Sequence, residues 1–201
     1  MRTLNSLLLH IYIWLCRIRH RRGYGVHSPW AFQFITGVVN ESGRYYAYDT
    51  LALQCDKNDR RGTSVKVERL LFRLANFVQP KNIVVVGDRL NQSADYLQAG
   101  CRSANVLRMD STAWETASAE SVDLLYVGHG VDILSAFQHY AKGASSNSLF
   151  VLSDIHSSKT NAHRWHEVCG DSRVVLTFDL FDVGLVFFDA SRNEQHYIVS
   201  F

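Results

Sequence analysis

From Ile83 to Val86, within the stretch NIVVVG at residues 82–87, every position is apolar. An alternating strand has one wet face, but a strand apolar on both sides needs cover on both, as a central parallel strand does. That requirement sets the fold class, because helices layered on the two faces of a sheet supply such cover. The flanking sequence provides them. VKVERLLFRLANFVQP puts Val67, Leu70, Leu71, Leu74 and Val78 on one helical face, and Pro80 ends the run. NQSADYLQAG reads as a helix closed by Gly100, and ANVLRMD and SVDLLYVG read as two further strands. VDILSAFQHYAKG, SLFVLSD and TNAHRWHEV continue as helix, strand and short helix, and the tail to Phe201 reads as three strands joined by two turns. Strands alternating with helices, then antiparallel strands at one edge, predict an open, mostly parallel α/β sheet.

The 201 residues suit one such unit, and 47% apolar with 20% charged residues is an ordinary globular balance. We divide the chain into an N-terminal helical extension with a polar loop, residues 1–64, and the sheet domain, residues 65–201. The net charge of +2 excludes no class of partner. Cys16, Cys55, Cys101 and Cys169 are far apart, without metal-ligand spacing, and read as reduced thiols of a cytoplasmic protein.

Residues 4–18, LNSLLLHIYIWLCRI, are too short to span a bilayer, and RIRHRR follows the apolar run where a secretory signal carries its charge first. Leu4, Leu8, Ile11, Leu15 and Ile18 recur at helical spacing. Such an amphipathic helix either packs on the domain or makes a peripheral membrane contact through residues 4–22. No second basic patch supports nucleic-acid binding. In GYGVHSPWAFQF, Ser28 and Pro29 mark a helix start: serine caps, and proline needs no donor at the first helical position. QCDKNDRRGTS, residues 54–64, reads as a polar lid or linker.

Open α/β sheets bind ligands beyond the carboxyl ends of their strands. That directs attention to Gly87 and its successors, Asp110, Gly128 to Gly130, and Asp154 to Ser157. No G-x-G-x-x-G dinucleotide fingerprint and no G-x-S-x-G nucleophile elbow occurs.

GYGVHSPWAFQFI, LLFRLANFVQPKNIVVVG, VLSDIH and LTFDLFDVGLVFF together resemble the small class I methyltransferase-like proteins of Bacteroidetes, relatives of the O-methyltransferases. The resemblance covers nearly the whole chain and rests most on the HSP stretch and the DLFDVGLVFF hairpin. It implies a Rossmann-like class I methyltransferase sheet, S-adenosylmethionine (SAM) as cofactor and a methyl acceptor of unstated identity. The family turn after the first strand reads approximately E-L-G-T-S-x-G; here Val85 to Asn91 stand in its place, without the leading acid or the closing glycine. Asn91 tolerates the left-handed backbone. Asp88 stands near the lost carboxylate, and Arg89 either pairs with the methionine carboxylate or blocks it.

The resemblance further implies that Gly87, Asp88, Arg89, Ser93, Asp110 and Gly128 bind the cofactor and that Asp154 and His156 serve catalysis. Asp110 reads equally as the acceptor of ribose hydroxyls and as a cap for the following turn. Asp154 and His156 read equally as a base near the acceptor and as loop-capping residues. Gly128, His129 and Gly130 stand where the family has Asp-Gly, which removes a hard oxygen ligand and argues against a magnesium-type site. Only twelve residues separate Met109 from Val122, too few for the usual helix, strand and helix, so one edge of the sheet is expected to be trimmed. Two readings follow: a divergent SAM-dependent methyltransferase, or a methyltransferase fold without chemistry that serves as a binding or membrane-associated module.

Overall fold

A computed structural model describes residues 25–54, 63–88, 91–117 and 121–201. The N-terminal amphipathic segment, most of the polar loop after Gln54, and Arg89 lie outside the described residues. The chain opens with helix α1 (Pro29–Phe34), which runs into a π-helical turn (Ile35–Val39), followed by α2 (Tyr46–Gln54) and α3 (Val65–Val78). Ser28 caps α1 by accepting the Ala31 amide at 3.3 Å, with Pro29 at the first position, as the sequence predicts. Then follow β1 (Asn82–Val86), α4 (Asn91–Gly100), β2 (Asn105–Met109), a 3-10 turn (Trp114–Thr116) and β3 (Leu124–Val127). The chain ends with α5 (Ile133–Tyr140), β4 (Leu149–Ser153), α6 (Lys159–Cys169), β5 (Leu176–Asp179), β6 (Val183–Phe187) and β7 (Gln195–Ile198).

The seven strands form one sheet in the order β2-β1-β3-β4-β6-β5-β7. β1, β3 and β4 are buried along their length, apart from half-buried Asn82 at the start of β1. Their side chains alternate between two cores. Ile83, Val85, Leu124 and Val151 point to the side covered by α1, α3 and α4. Val84, Val86, Leu125 and Phe150 point to the side covered by α5 and α6. This is the two-sided cover that the NIVVVG run demands.

Three features refine the expectation. First, only β6 runs against the other strands: it pairs antiparallel with β4 and β5, whereas β7 lies parallel to β5 at the far edge. The residues between β6 and β7 therefore carry the chain past β5 rather than closing a second hairpin. Second, β2 is an edge strand, mostly exposed, and the link to β3 holds a 3-10 turn instead of a crossover helix. The trimmed edge follows from the short link. Buried Trp114 closes the space beneath it against the rings of His139 and Tyr140. Third, Gly100 ends α4 through packing: a Cβ there would lie 2.3 Å from the Phe72 carbonyl oxygen of α3.

Gly184, in the hairpin strand β6, is held by the same kind of contact, since a Cβ would lie 2.5 Å from the Trp165 ring of α6. Overpacking of this kind costs about 1–3 kcal/mol. Gly184→Ala is expected to lower the thermal midpoint by several degrees, with the far-ultraviolet circular dichroism spectrum preserved; an unchanged midpoint would show that α6 moves freely away from the sheet.

Candidate active site

The loops after β1, β2 and β3 meet beyond the carboxyl ends of their strands. Gly87, with φ 137°, turns the chain out of β1 in a conformation that favours glycine, and its N–H donates to the Met109 carbonyl at 3.0 Å. The Asp88 N–H reaches the His129 carbonyl at 3.0 Å, and the Gly128 N–H reaches that of Val86 at 2.8 Å. The Asp88 carboxylate leans over Gly130, where a Cβ would sit 2.5 Å from its Oδ2. Gly130 has φ 83°, so both backbone conformation and space call for glycine there.

Asp110 caps its own turn. Its Oδ1 accepts the Thr112 amide at 3.0 Å, the Thr112 hydroxyl at 2.8 Å and the Ala113 amide at 2.8 Å. The bonds from Thr112, then that from Ala113, hold the Asp110 carboxyl below its ordinary range. All three donors fall on one oxygen, and Oδ2, at the exposed end of β2, has no hydrogen bond among the described residues. The two sequence readings of Asp110 are therefore compatible.

Ser93 is buried on α4 and belongs to a polar cluster under the β1 turn. Its hydroxyl donates to Glu68 Oε1 on α3 at 2.9 Å and lies 3.4 Å from the Thr63 hydroxyl. Thr63 lies 3.0 Å from the hydroxyl of fully buried Tyr126 on β3, which also accepts from Ser153 at the end of β4 at 2.9 Å. Glu68 is 1% exposed, and its Oε2 has no partner among the described residues. Burial, partly offset by the Ser93 bond, raises its pKa from 4.5 to about 8, so the neutral acid prevails at neutral pH. Sequence reasoning missed Glu68 because a glutamate beside an apolar helical stripe reads as solvent-facing.

Asp154 and His156 do not pair with each other. The Asp154 carboxylate pairs with His129 Nδ1 across the loops after β4 and β3. His156 Nε2 instead meets Asp179 Oδ2 at 2.6 Å, and its ring stacks on Phe181 at 5.4 Å. Two His–Asp pairs thus stand along the carboxyl edge where the sequence suggests one. His129 Nε2 makes no hydrogen bond or ion pair among the described residues, and the His129 side chain is 44% exposed. Beside Asp154 lies an open cavity of about 310 Å³, bordered by Gly128, Gly130, Ser153 and Arg164. Arg164 is tied to Asp132, the cap of α5, at 2.5 Å. Among the described residues, no group of three His, Cys, Asp or Glu side chains converges as a metal site would require.

The sequence matches no family model and no curated protein. In three dimensions the chain is similar to solved methyltransferases. It superposes on the S-adenosylhomocysteine-bound methyltransferase PaMTH1 of Podospora anserina with a TM-score of 0.54 at 13% identity, covering 80% of this chain and 96% of that one. For the SAM-bound O-methyltransferase TomG of Streptomyces achromogenes, involved in tomaymycin synthesis, the TM-score is 0.52 at 15% identity, with 73% and 91% covered. A methyltransferase from Geobacter sulfurreducens gives 0.53 at 14% identity, with 80% and 96% covered. The chain therefore has the Rossmann-like α/β fold of these methyltransferases.

The buried acid has a measurable signature. With its folded pKa raised to about 8, Glu68 contributes its full stability below the ordinary 4.5 and loses it as pH rises through 8. Glu68→Gln removes this titration while keeping the shape. The unfolding midpoint of the wild type is expected to fall relative to the variant between pH 5 and pH 9. Parallel curves over that range would mean that Glu68 ionises freely in the folded protein.

Proposed function

We propose that the chain is a SAM-dependent methyltransferase, related to the O-methyltransferases through a divergent branch marked by the HSP stretch, and that it methylates a small molecule. The observation that carries the reading is the conjunction of uncommitted Asp110 Oδ2 with the buried Glu68–Ser93 seat on either side of the Gly87 turn. A nucleoside with an amino-acid end presents hydroxyls at one place and polar groups at another, and these residues match both needs. Asp110 Oδ2 would accept the ribose hydroxyls, Gly87 and Gly128 would allow close backbone approach, and Ser93 with Glu68 would meet the amino-acid end. Asp88 and Arg89 stand by sequence at the same turn.

When bound, the cofactor supplies a methyl group already activated on sulfonium, so the protein has mainly to position the acceptor. The 310 Å³ cavity beside Asp154 has the size of a small-ligand site. His129, oriented through Nδ1 by Asp154, would take the acceptor's hydroxyl proton at Nε2. His156 would act indirectly, through Asp179 and Phe181, by ordering the loop after β4.

One observation favours the second reading, a scaffold without chemistry: the Asp88 carboxylate lies over Gly130, between the loops that a cofactor must part. Calorimetric titration separates the two. SAM and S-adenosylhomocysteine are expected to bind in the micromolar range. Asp110→Asn keeps an oxygen for the turn but replaces the open acceptor with a donor, and should weaken binding about tenfold or more, given 1.5–3 kcal/mol for a charged hydrogen bond. No heat and no thermal shift at millimolar ligand would establish the scaffold reading. If binding is present, His129→Ala is expected to retain it while methyl transfer to a hydroxyl acceptor falls about 100-fold or more, as loss of a general base implies.

A further inference from the structure

A second cavity, of about 760 Å³, lies between the first half of α3, the loop that follows the π-helical turn, and the last residues of β7's extension. Lys66, Arg69 and Arg73 line it from α3. At three and seven residues from Lys66 they share one helical stripe, and Glu68 faces elsewhere on the same helix. Five other arginines, Arg44, Arg108, Arg164, Arg173 and Arg192, each hold a carboxylate. Lys66, Arg69 and Arg73 hold none among the described residues. Arg73 is 7% exposed, and among the described residues its guanidinium meets only neutral acceptors: the Val38 carbonyl at 2.7 Å, that of Val39 at 3.0 Å and the Tyr48 hydroxyl at 3.5 Å. Its hydrogen bonds are satisfied while its charge is not neutralised, an expensive state for a buried ion.

The wall holds a second unanswered group. The Asn40 side-chain amide nitrogen is buried without a partner among the described residues. The carboxylate of Glu41, at the same wall, is engaged locally: Oε1 accepts the Gly43 amide at 3.1 Å, and Oε2 accepts the Tyr45 hydroxyl. Asp182 attracts Lys66 without forming an ion pair with it among the described residues, and burial, with Arg73 nearby, outweighs that attraction and lowers the lysine's pKa. Aromatic rings flank the opening. Lys66 Nζ lies 4.1 Å from the Phe201 ring centroid, and the Arg69 guanidinium lies 5.0 Å from that of Tyr48. Unneutralised cations, an orphan donor and apolar flanks in a cavity of ligand size have one chemical complement.

We propose that this cavity binds a small organic anion, whose carboxylate or phosphate oxygens are held by the Asn40 amide, Lys66 and Arg69, with Arg73 as fixed charge behind them. The site uses a different face of α3 from the Glu68–Ser93 seat, so it stands whether or not SAM binds.

Calorimetry at low salt with pyrophosphate and with citrate, on the full chain, tests the proposal and distinguishes phosphate from carboxylate. At least one probe is expected to bind more tightly than about 1 mM, near −4 kcal/mol. The double variant Lys66→Ala, Arg69→Ala should weaken that binding about tenfold or more, and Asn40→Asp should do the same by replacing a donor with an acceptor. A control with Lys142→Ala and Lys159→Ala, exposed lysines absent from this cavity, should bind as the wild type does. Failure of both probes to bind would overturn the proposal, as would equal loss in the control, which would signify unspecific attraction to positive charge. Circular dichroism melts establish that each variant is folded.

Discussion

Burial of β1, β3 and β4 on both faces is the constraint from which the rest of the molecule follows. With helices pressed on both sides, polar side chains are confined to strand ends or must find partners inside. Tyr126 shows the second case. It is fully buried in the middle of the sheet, and its hydroxyl needs partners that only neighbouring elements can give. Ser153 from β4 and Thr63 ahead of α3 supply them, and Thr63 passes the network on to Ser93 and Glu68. A single tyrosine in an apolar strand thereby leads to a polar chamber beneath the β1 turn.

The sequence discloses what is periodic or local. The apolar run of β1, the stripe of α3, the Ser-Pro start of α1 and the short link after β2 all appear in the structure as their patterns require. Contacts between distant loops have no such signature. His129 meets Asp154 because β3 and β4 are neighbours, and His156 meets Asp179 because β6 brings β5 beside β4. Neither pairing can be read before the strand order is known. Glu68 escapes for another reason: helical spacing locates an apolar stripe, but the contact with α4 buries the flank of that stripe as well.

The trimmed edge changes how a nucleoside could be held. Among the described residues no strand lies beyond β2, so Asp110 ends an exposed edge instead of lining a closed wall. A carboxylate on such an edge would swing freely if it were unsupported. Three donors on Oδ1 fix it, so the ordering that binding would otherwise demand is completed on folding. In the proposed site, capping would serve recognition: the turn holds one oxygen so that the other keeps a defined direction.

The distribution of backbone strain points to the same end of the sheet. Among the described residues four that are not glycine have positive φ: Gln79, Ser121, Asp154 and Phe181. Gln79 merely caps α3, and Ser121 lies at the amino side of β3, where a turn suffices as explanation. Asp154 at 61° and Phe181 at 76° are different, since each contacts a histidine of one of the two His–Asp pairs. A phenylalanine is seldom found in that region, and the conformation costs on the order of 1–3 kcal/mol. Glu68, an acid buried with an oxygen unanswered, adds a further destabilising choice where a leucine would have filled the space. Positive φ occurs at both ends of the strands, but at the carboxyl ends it falls on residues that contact the two His–Asp pairs. Strain of this kind, together with a buried acid, is what a site that holds charged and polar groups in fixed directions would call for.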